Sequence, residues 1–304
     1  MARLHLKHVV LSILVLAGIY ILSRKPQSRP TPTSSKCPPP NSRLLQAKWK
    51  QQRIPILIQD PAPPKSASES LSKEASSPFE SAYLSDMIGA VRASSNEGKG
   101  LVLTTGSGLG SVPISFALEG FHVHAFEQDP FLFSLMACSA AANNFSSFYP
   151  NNAALSTSNS IKCADPSIKD MSQCPAHKTI KTITLASYLL ETSIKPTLLH
   201  LDVSGQELLT LSSAKDILAK APPNHIYSRF ILADMKTNNV NPQDYLDFLL
   251  DLGYTIRAHL PTRIPGPGRL PQIKWKDLII ERNNYYMIDF QEYDNAMIHA
   301  VFPK

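Results

Sequence analysis

The chain has 304 residues, 43% of them hydrophobic, enough for one well-buried domain with appendages and too apolar for a wholly disordered protein. Its formal charge of +6 is unevenly placed: residues 1–78 carry 12 Lys and Arg against 3 Asp and Glu, and the remainder carries 18 against 21. The excess cations therefore lie outside the segment able to fold, and a nucleic-acid substrate, which calls for a basic face on the fold itself, is not expected.

In chain order the first feature is the apolar run Val9–Leu22. Extended back to Leu4, with Lys7 near one end, it reaches the shortest length that crosses a bilayer. A cleaved signal peptide has an apolar core of this size too, but Ser23-Arg24-Lys25-Pro26 is a poor cleavage site, so residues 1–25 are read as an uncleaved signal anchor. Charges flank the run on both sides and leave its orientation open; a short tail before it and a large domain after it favour a lumenal domain. A short span suits the thinner membranes of the early secretory pathway, endoplasmic reticulum or Golgi. Residues 26–78 are rich in Pro, Ser and Lys and are expected to form a disordered, extended stalk. Within it, Ile54-Pro55-Ile56-Leu57-Ile58 is an apolar island that either docks on the domain or is incidental.

The domain is expected over residues 79–304. Leu84, Met87, Ile88 and Val91 follow the spacing of an amphipathic helix. Leu101–Leu103 is a short buried strand, Leu109–Leu118 a helix, and Phe121–Phe126 a second strand. Pro130 opens a helix to about Asn143, and Ala153–Leu155 is a weak third strand. The polar segment Ser156–Lys178 reads as an insertion, followed by a helix at Leu185–Glu191. Thr197–Val203 is a strongly apolar strand, Gln206–Lys220 a helix, Ile226–Ala233 a strand, and Pro242–Leu252 a helix closed by Gly253. Tyr254–Ala258 and Leu278–Glu281 are late strands, with Pro261–Gly268 between them as a loop or flap; Tyr285, Tyr286 and Phe290 read as late-strand core. This alternation predicts an α/β fold, doubly wound, with a mainly parallel seven-stranded sheet.

Such sheets bind ligands at the carboxyl ends of their strands, where Gly106, Glu127, Asp202 and Asp234 all fall. The turn Gly106-Ser107-Gly108-Leu109-Gly110 lets backbone approach a ligand closely, and Glu127 at the end of the next strand can accept hydrogen bonds from ribose hydroxyls. The G-x-G-x-G spacing differs from the G-x-G-x-x-G that seats a dinucleotide pyrophosphate. It favours S-adenosylmethionine, which carries no phosphate, over a nicotinamide cofactor. Gly106, Ser107, Gly108, Gly110, Glu127 and Asp202 are thus the candidate cofactor residues. Glu127 has an alternative role at the start of the helix after Asp129-Pro130.

Four cysteines, Cys37, Cys138, Cys163 and Cys174, lack CxxC spacing, so no zinc site is expected. Cys163 and Cys174 are close enough to pair in an oxidising compartment; otherwise Cys138 is a small core residue and the others are free. Asn144-Phe145-Ser146 is a glycosylation sequon.

With these residues in place, the chain from about Lys99 to about Arg257 resembles the FkbM-type methyltransferases, a branch of the Rossmann-like class I S-adenosylmethionine-dependent fold. The segments that carry the resemblance are Thr104–Gly110, Ala125-Phe126-Glu127-Gln128-Asp129-Pro130, Ala154-Leu155-Ser156, Thr184-Leu185-Ala186, His200-Leu201-Asp202-Val203-Ser204-Gly205-Gln206-Glu207 and Gly253-Tyr254. Departures fall at Thr104 in place of an acid, Gly108 in place of Asn, His200 in place of Lys and Ser204 in place of Glu. The resemblance implies methyl transfer to a hydroxyl, here of a glycan or small metabolite. The departures keep open a degenerate, non-catalytic module that retains only binding or scaffolding.

Methyl transfer from a sulfonium is helped mostly by positioning, and a hydroxyl acceptor must also lose its proton. The candidate catalytic residues are Asp202, His200 and Asp234. His200 lies two residues before Asp202, hence on the same sheet face, and is either a base or a satisfied core histidine. Asp202 either serves the site or caps the following helix. A divalent cation on Asp202, Asp234 and Asn238 would have a thin ligand set, and no metal is expected.

Overall fold

The computed structural model describes residues 37–50, 52–62, 82–95, 99–164, 167–168, 170–175, 178–264, 272–281 and 296–303. All belong to the compact unit Pro32–Lys304. The expected anchor, residues 1–25, lies outside them, as do Tyr285, Tyr286 and Phe290. No helix among the described residues is long and apolar enough to cross a membrane.

The elements in chain order are β1 (Ser42–Trp49), β2 (Gln52–Gln59), α1 (Ala82–Ser94), β3 (Leu101–Thr105), α2 (Ser111–Leu118), β4 (His122–Glu127), α3 (Pro130–Ala142), β5 (Phe148–Asn152), β6 (Ala154–Leu155), β7 (Ser160–Cys163) and β8 (Thr179–Ile183). There follow α4 (Leu185–Thr192), β9 (Leu198–Leu201), α5 (Glu207–Ser212), α6 (Lys215–Lys220), β10 (His225–Phe230), α7 (Leu232–Thr237), α8 (Pro242–Asp251), β11 (Thr255–Ile264), β12 (Gln272–Ile280) and β13 (Ala296–Val301).

The central sheet has eight strands, in the order β12-β11-β13-β10-β9-β3-β4-β5. The sequence predicted seven. The added strand is β13, which no expected strand covered; β12 extends the expected Leu278–Glu281 strand back to Gln272 and pairs antiparallel to β11 at the edge, and β11 itself runs on through residues 261–264, where a loop or flap was expected. Strands β5, β4, β3, β9 and β10 are mutually parallel, while β13 is antiparallel to both β10 and β11. From β3 the chain winds outward through β4 and β5, then returns to β9 on the other side of β3. This is the doubly wound, Rossmann-like order, and its topological switch point lies between β3 and β9.

Strand alternation divides the core in two. Val102, Val123, Ala125, Leu198, Tyr227 and Met297 face α1, α2 and α3, whose buried residues include Leu84, Met87, Val91, Ile114 and Leu135. Leu103, Phe126, Leu199, Leu201, Ile226 and Ile298 face the opposite layer with Leu185, Tyr188, Leu218, Tyr245 and Leu249. A one-residue slip of any central strand would exchange these two sets, so the double-sided burial fixes the register.

Several expectations are corrected. The third strand of the sheet is β5, not Ala153–Leu155; β6 instead joins a separate three-stranded sheet with β8 and β7, of which β7 lies inside the expected insertion and β6 and β8 flank it. The expected helix over Gln206–Lys220 is two short helices, α5 and α6. The expected stalk is folded over its described part. β1 and β2 form an antiparallel hairpin that buries Ala47, Trp49, Ile54, Ile56, Leu57 and Ile58 in the same core as α1 and α3. Ser139 Oγ accepts from Leu57 N at 2.8 Å and donates to Leu135 O at 2.8 Å. Asn143 Nδ2 donates to Pro55 O at 2.8 Å. Lys50 and Arg92 both pair with Glu119. The apolar island thus docks on the domain.

All four cysteines are paired, as Cys37–Cys138 and Cys163–Cys174. The second closes the insertion on itself. The first overturns the reading of Cys138 as a lone core residue and ties the segment before the hairpin to α3.

Candidate active site

The strand β3 is apolar or β-branched throughout and buried from Val102 to Thr105. Beyond it the chain must reverse quickly into α2, and Gly106, Gly108 and Gly110 take φ of 62°, 53° and 92°. Each glycine answers a different demand. A Cβ on Gly106 would lie 1.8 Å from the carbonyl oxygen of Asp202, because the loops after β3 and β9 touch at the switch point. A Cβ on Gly110 would lie 2.7 Å from Met136 Cγ, where the start of α2 packs on α3. A Cβ on Gly108 meets nothing within 4 Å. The turn is held by Ser107 N donating to Phe126 O at 3.0 Å, Gly110 N donating to Ser107 O at 2.8 Å, and a 3.0 Å hydrogen bond between the Thr104 and Ser107 hydroxyls.

Glu127 is the last residue of β4 and is buried. Its Oε2 accepts from Gly108 N at 2.6 Å and its Oε1 from Asp129 N at 2.8 Å. Burial pushes its pKa up, opposed by these N–H donors. The helix α3 is capped by Asp129, whose Oδ1 accepts from Phe131 N and Leu132 N, with Pro130 in the first turn. Capping therefore falls to Asp129, and the Glu127 carboxylate is directed at the glycine turn.

Across the switch point, β9 ends at Leu201 and Asp202 follows. Thr105 Oγ1 accepts from Asp202 N at 3.2 Å and donates to His200 O at 3.3 Å, joining the two strand ends. The Asp202 carboxylate is part-exposed and lies 3.4 Å from Arg229 Nη1 on β10. His200 is only 4% exposed, its Nδ1 has no hydrogen-bond partner among the described residues, and burial pushes its pKa down. The register places it in one row with Thr104 and Tyr227, under the α1–α3 layer. Asp234 is not at a strand end: β10 stops at Phe230 and Asp234 sits in the first turn of α7. Its backbone instead abuts Gly205, where a Cβ would lie 2.3 Å from Asp234 C. Asn238 Nδ2 donates to the Ser204 and Asp234 carbonyls at 2.8 Å each, tying the same two loops together.

Gly106, Ser107, Gly108, Gly110, Glu127 and Asp202 are thus brought to one edge, His200 lies beneath it, and Asp234 stands in the first turn of the adjoining α7. Two further residues complete the edge. Arg229 interrupts the apolar pattern of β10, a signal legible as a cation aimed at a strand end. Glu207, 1% exposed, accepts from Val203 N at 3.2 Å and Gly205 N at 3.3 Å, fixing the turn after Asp202. Its other oxygen has no partner among the described residues, and burial pushes its pKa up to about 7.

No protein-family model and no curated protein matches this sequence. Solved structures do. A precorrin-6Y C5,15-methyltransferase from Geobacter metallireducens matches at 12% identity over 72% of this chain and 87% of its own, with a TM-score of 0.38. A methyltransferase FkbM from Methylobacillus flagellatus matches at 13% identity over 66% of this chain and 43% of its own, with a TM-score of 0.41. A magnesium protoporphyrin IX methyltransferase from Synechocystis, solved with bound SAH, matches at 12% identity over 73% and 82%, with a TM-score of 0.37.

Proposed function

We propose that this chain is an S-adenosylmethionine-dependent methyltransferase acting on a hydroxyl of a glycan or small metabolite, tethered to a secretory membrane with its domain in the lumen. One observation carries the cofactor reading. At the switch point of a doubly wound sheet, a glycine turn in the left-handed region meets the carboxylate at the end of the neighbouring strand, with open space at Gly108. In this reading Gly106, Ser107, Gly108 and Gly110 supply backbone to the cofactor. Glu127 keeps lone pairs beyond its two N–H bonds for ribose hydroxyls. The chemistry the cofactor supplies when bound is an electrophilic methyl carbon. Asp202, part-exposed and beside Arg229, is placed to orient the acceptor hydroxyl or take its proton; His200, buried and held neutral, suits a supporting role under the site better than contact with an acceptor. Two disulfides and the exposed sequon Asn144-Phe145-Ser146 fit an oxidising lumen. Tethering rests on the apolar run before Arg24.

A second reading, a nucleoside-binding module without turnover, rests on the departures at Thr104 and Ser204; in its favour, the Thr104 hydroxyl, where the resembling family has an acid, is hydrogen-bonded to Ser107 at 3.0 Å. Calorimetric titration of the full-length protein with S-adenosylhomocysteine tests the cofactor site. Binding that weakens by more than about tenfold in Glu127→Ala is expected, since a hydrogen bond to a carboxylate contributes about 1.5–3 kcal/mol. Absence of binding by the folded wild type refutes both readings. Binding without release of S-adenosylhomocysteine from S-adenosylmethionine, across a panel of glycan and small hydroxyl acceptors, favours the module.

A further inference from the structure

On the α1 side of the sheet, away from the glycine turn, three residues widely separated in sequence converge. Asp86 comes from α1, His259 from β11 and His299 from β13. Asp86 Oδ2 lies 3.7 Å from His259 Nε2 and 3.9 Å from His299 Nδ1, and one ligating atom from each residue falls within 4.8 Å of the others. The register explains the meeting. His299 pairs with Tyr227 and Arg257, which puts it on the face that α1 covers, and His259 is two residues beyond Arg257 on that same face.

From this geometry we infer a binding site for a divalent ion of the zinc class, held by Asp86, His259 and His299 with one coordination position open. Tetrahedral zinc bonds of about 2.0–2.1 Å place ligand atoms about 3.3 Å apart, so the three atoms need to close by a few tenths of an ångström to somewhat over one ångström. Asp86, half-exposed on a helix surface, can adjust toward either imidazole, and the remaining closure falls to rotation of the two rings, which are largely buried. Its exposed side leaves the fourth position to water.

The groups behind the ligands are ordered as a metal site requires. Tyr227 OH donates to Asp86 Oδ2 at 2.6 Å, and the Tyr227 ring stacks on His299 with centroids 3.8 Å apart. His299 Nε2 lies 3.1 Å from His225 Nδ1, and His225 Nε2 lies 2.7 Å from Ser94 Oγ. One proton arrangement satisfies this chain with His299 ligating: Nε2–H donates to His225 Nδ1, and His225 Nε2–H donates to Ser94. It leaves a lone pair on His299 Nδ1 directed toward the Asp86 carboxylate, two electron-rich atoms that a cation between them would reconcile.

The test is a Co2+ titration of the full-length protein after chelator stripping, followed by visible absorption and by Zn2+ competition. Saturation at one Co2+ per chain, displaced by Zn2+, is expected. Asp86→Asn and His259→Gln should each weaken binding by more than about 100-fold, and Tyr227→Phe by about tenfold. Asp86→Asn, at a half-exposed position, keeps the test informative if a histidine variant fails to fold. Lack of saturable binding by the folded wild type, or affinity unchanged in both Asp86→Asn and His259→Gln, overturns the site. Binding of S-adenosylhomocysteine is a separate readout, so this inference and the cofactor reading fail independently.

Discussion

Alanine at Gly108 and alanine at Gly106 separate a crevice from a packing contact. Both glycines sit in the left-handed region, φ 53° and 62°, so either substitution costs about 1–2 kcal/mol of backbone strain. At Gly108 that is the whole cost to the fold, because the new methyl meets nothing within 4 Å. At Gly106 the methyl would sit 1.8 Å from the Asp202 carbonyl oxygen. The loops after β3 and β9 must then part by more than an ångström, adding about 1–3 kcal/mol of overpacking. Denaturant unfolding should therefore show Gly108→Ala about 1–2 kcal/mol less stable than wild type, and Gly106→Ala about 2–5 kcal/mol less stable. Calorimetry with S-adenosylhomocysteine should show a different pattern. If the open space at Gly108 is where the ligand approaches backbone, its methyl weakens binding by about tenfold or more despite the mild effect on stability. The reasoning is refuted if Gly108→Ala binds as tightly as wild type, or if the two variants lose equal stability.

Three further outcomes follow from the same structure. Glu207 ionises near 4.5 in the unfolded chain and near 7 when folded, because burial outweighs its N–H bonds; the native state binds the extra proton between these values, so stability falls as pH rises through that window, by about 3 kcal/mol, and is level above it. Glu207→Gln should remove this dependence and exceed wild type in stability at pH 8 but not at pH 4, measured by urea unfolding; a difference that does not vary with pH counts against it. The Cys37–Cys138 bond spans 101 residues, and paired replacement of both cysteines by alanine should lower stability by about 3–5 kcal/mol, read as a fall of about 10 °C or more in Tm. Loss of Cys163–Cys174, spanning 11 residues, should cost less, about 2–3 kcal/mol, and leave the hairpin core intact by near-ultraviolet circular dichroism.

The parallel strands and the glycine turn were legible because their signals are local. An apolar strand, closely spaced glycines and an acid at the end of the next strand need no knowledge of distant partners, and Gly106, Gly108, Gly110 and Glu127 do meet at one edge. The hairpin was hidden by composition. Pro55 stands inside β2 in a segment rich in Pro and Ser, which signals an extended chain; a two-stranded ribbon tolerates it, and its carbonyl finds Asn143 on α3. Asp234 was misplaced because Ile231-Leu232-Ala233 is apolar enough to continue a strand, whereas the chain turns into α7 there.

The polar face of β10, β11 and β13 marks the limit of pattern reading. Taken singly, His225, His259 and His299 are histidines in apolar strands, and Asp86 is an acid on the exposed side of an amphipathic helix. No spacing rule joins them, since Asp86 and His299 are brought together only after β13 inserts antiparallel between β10 and β11. That insertion stacks Tyr227 on His299 and leads the hydrogen bonds through His225 to Ser94 at the end of α1. A buried row of this kind must satisfy its donors and acceptors or destabilise the sheet. Its members are therefore specified by one another through pairing register, and that information is absent from any single segment of the sequence.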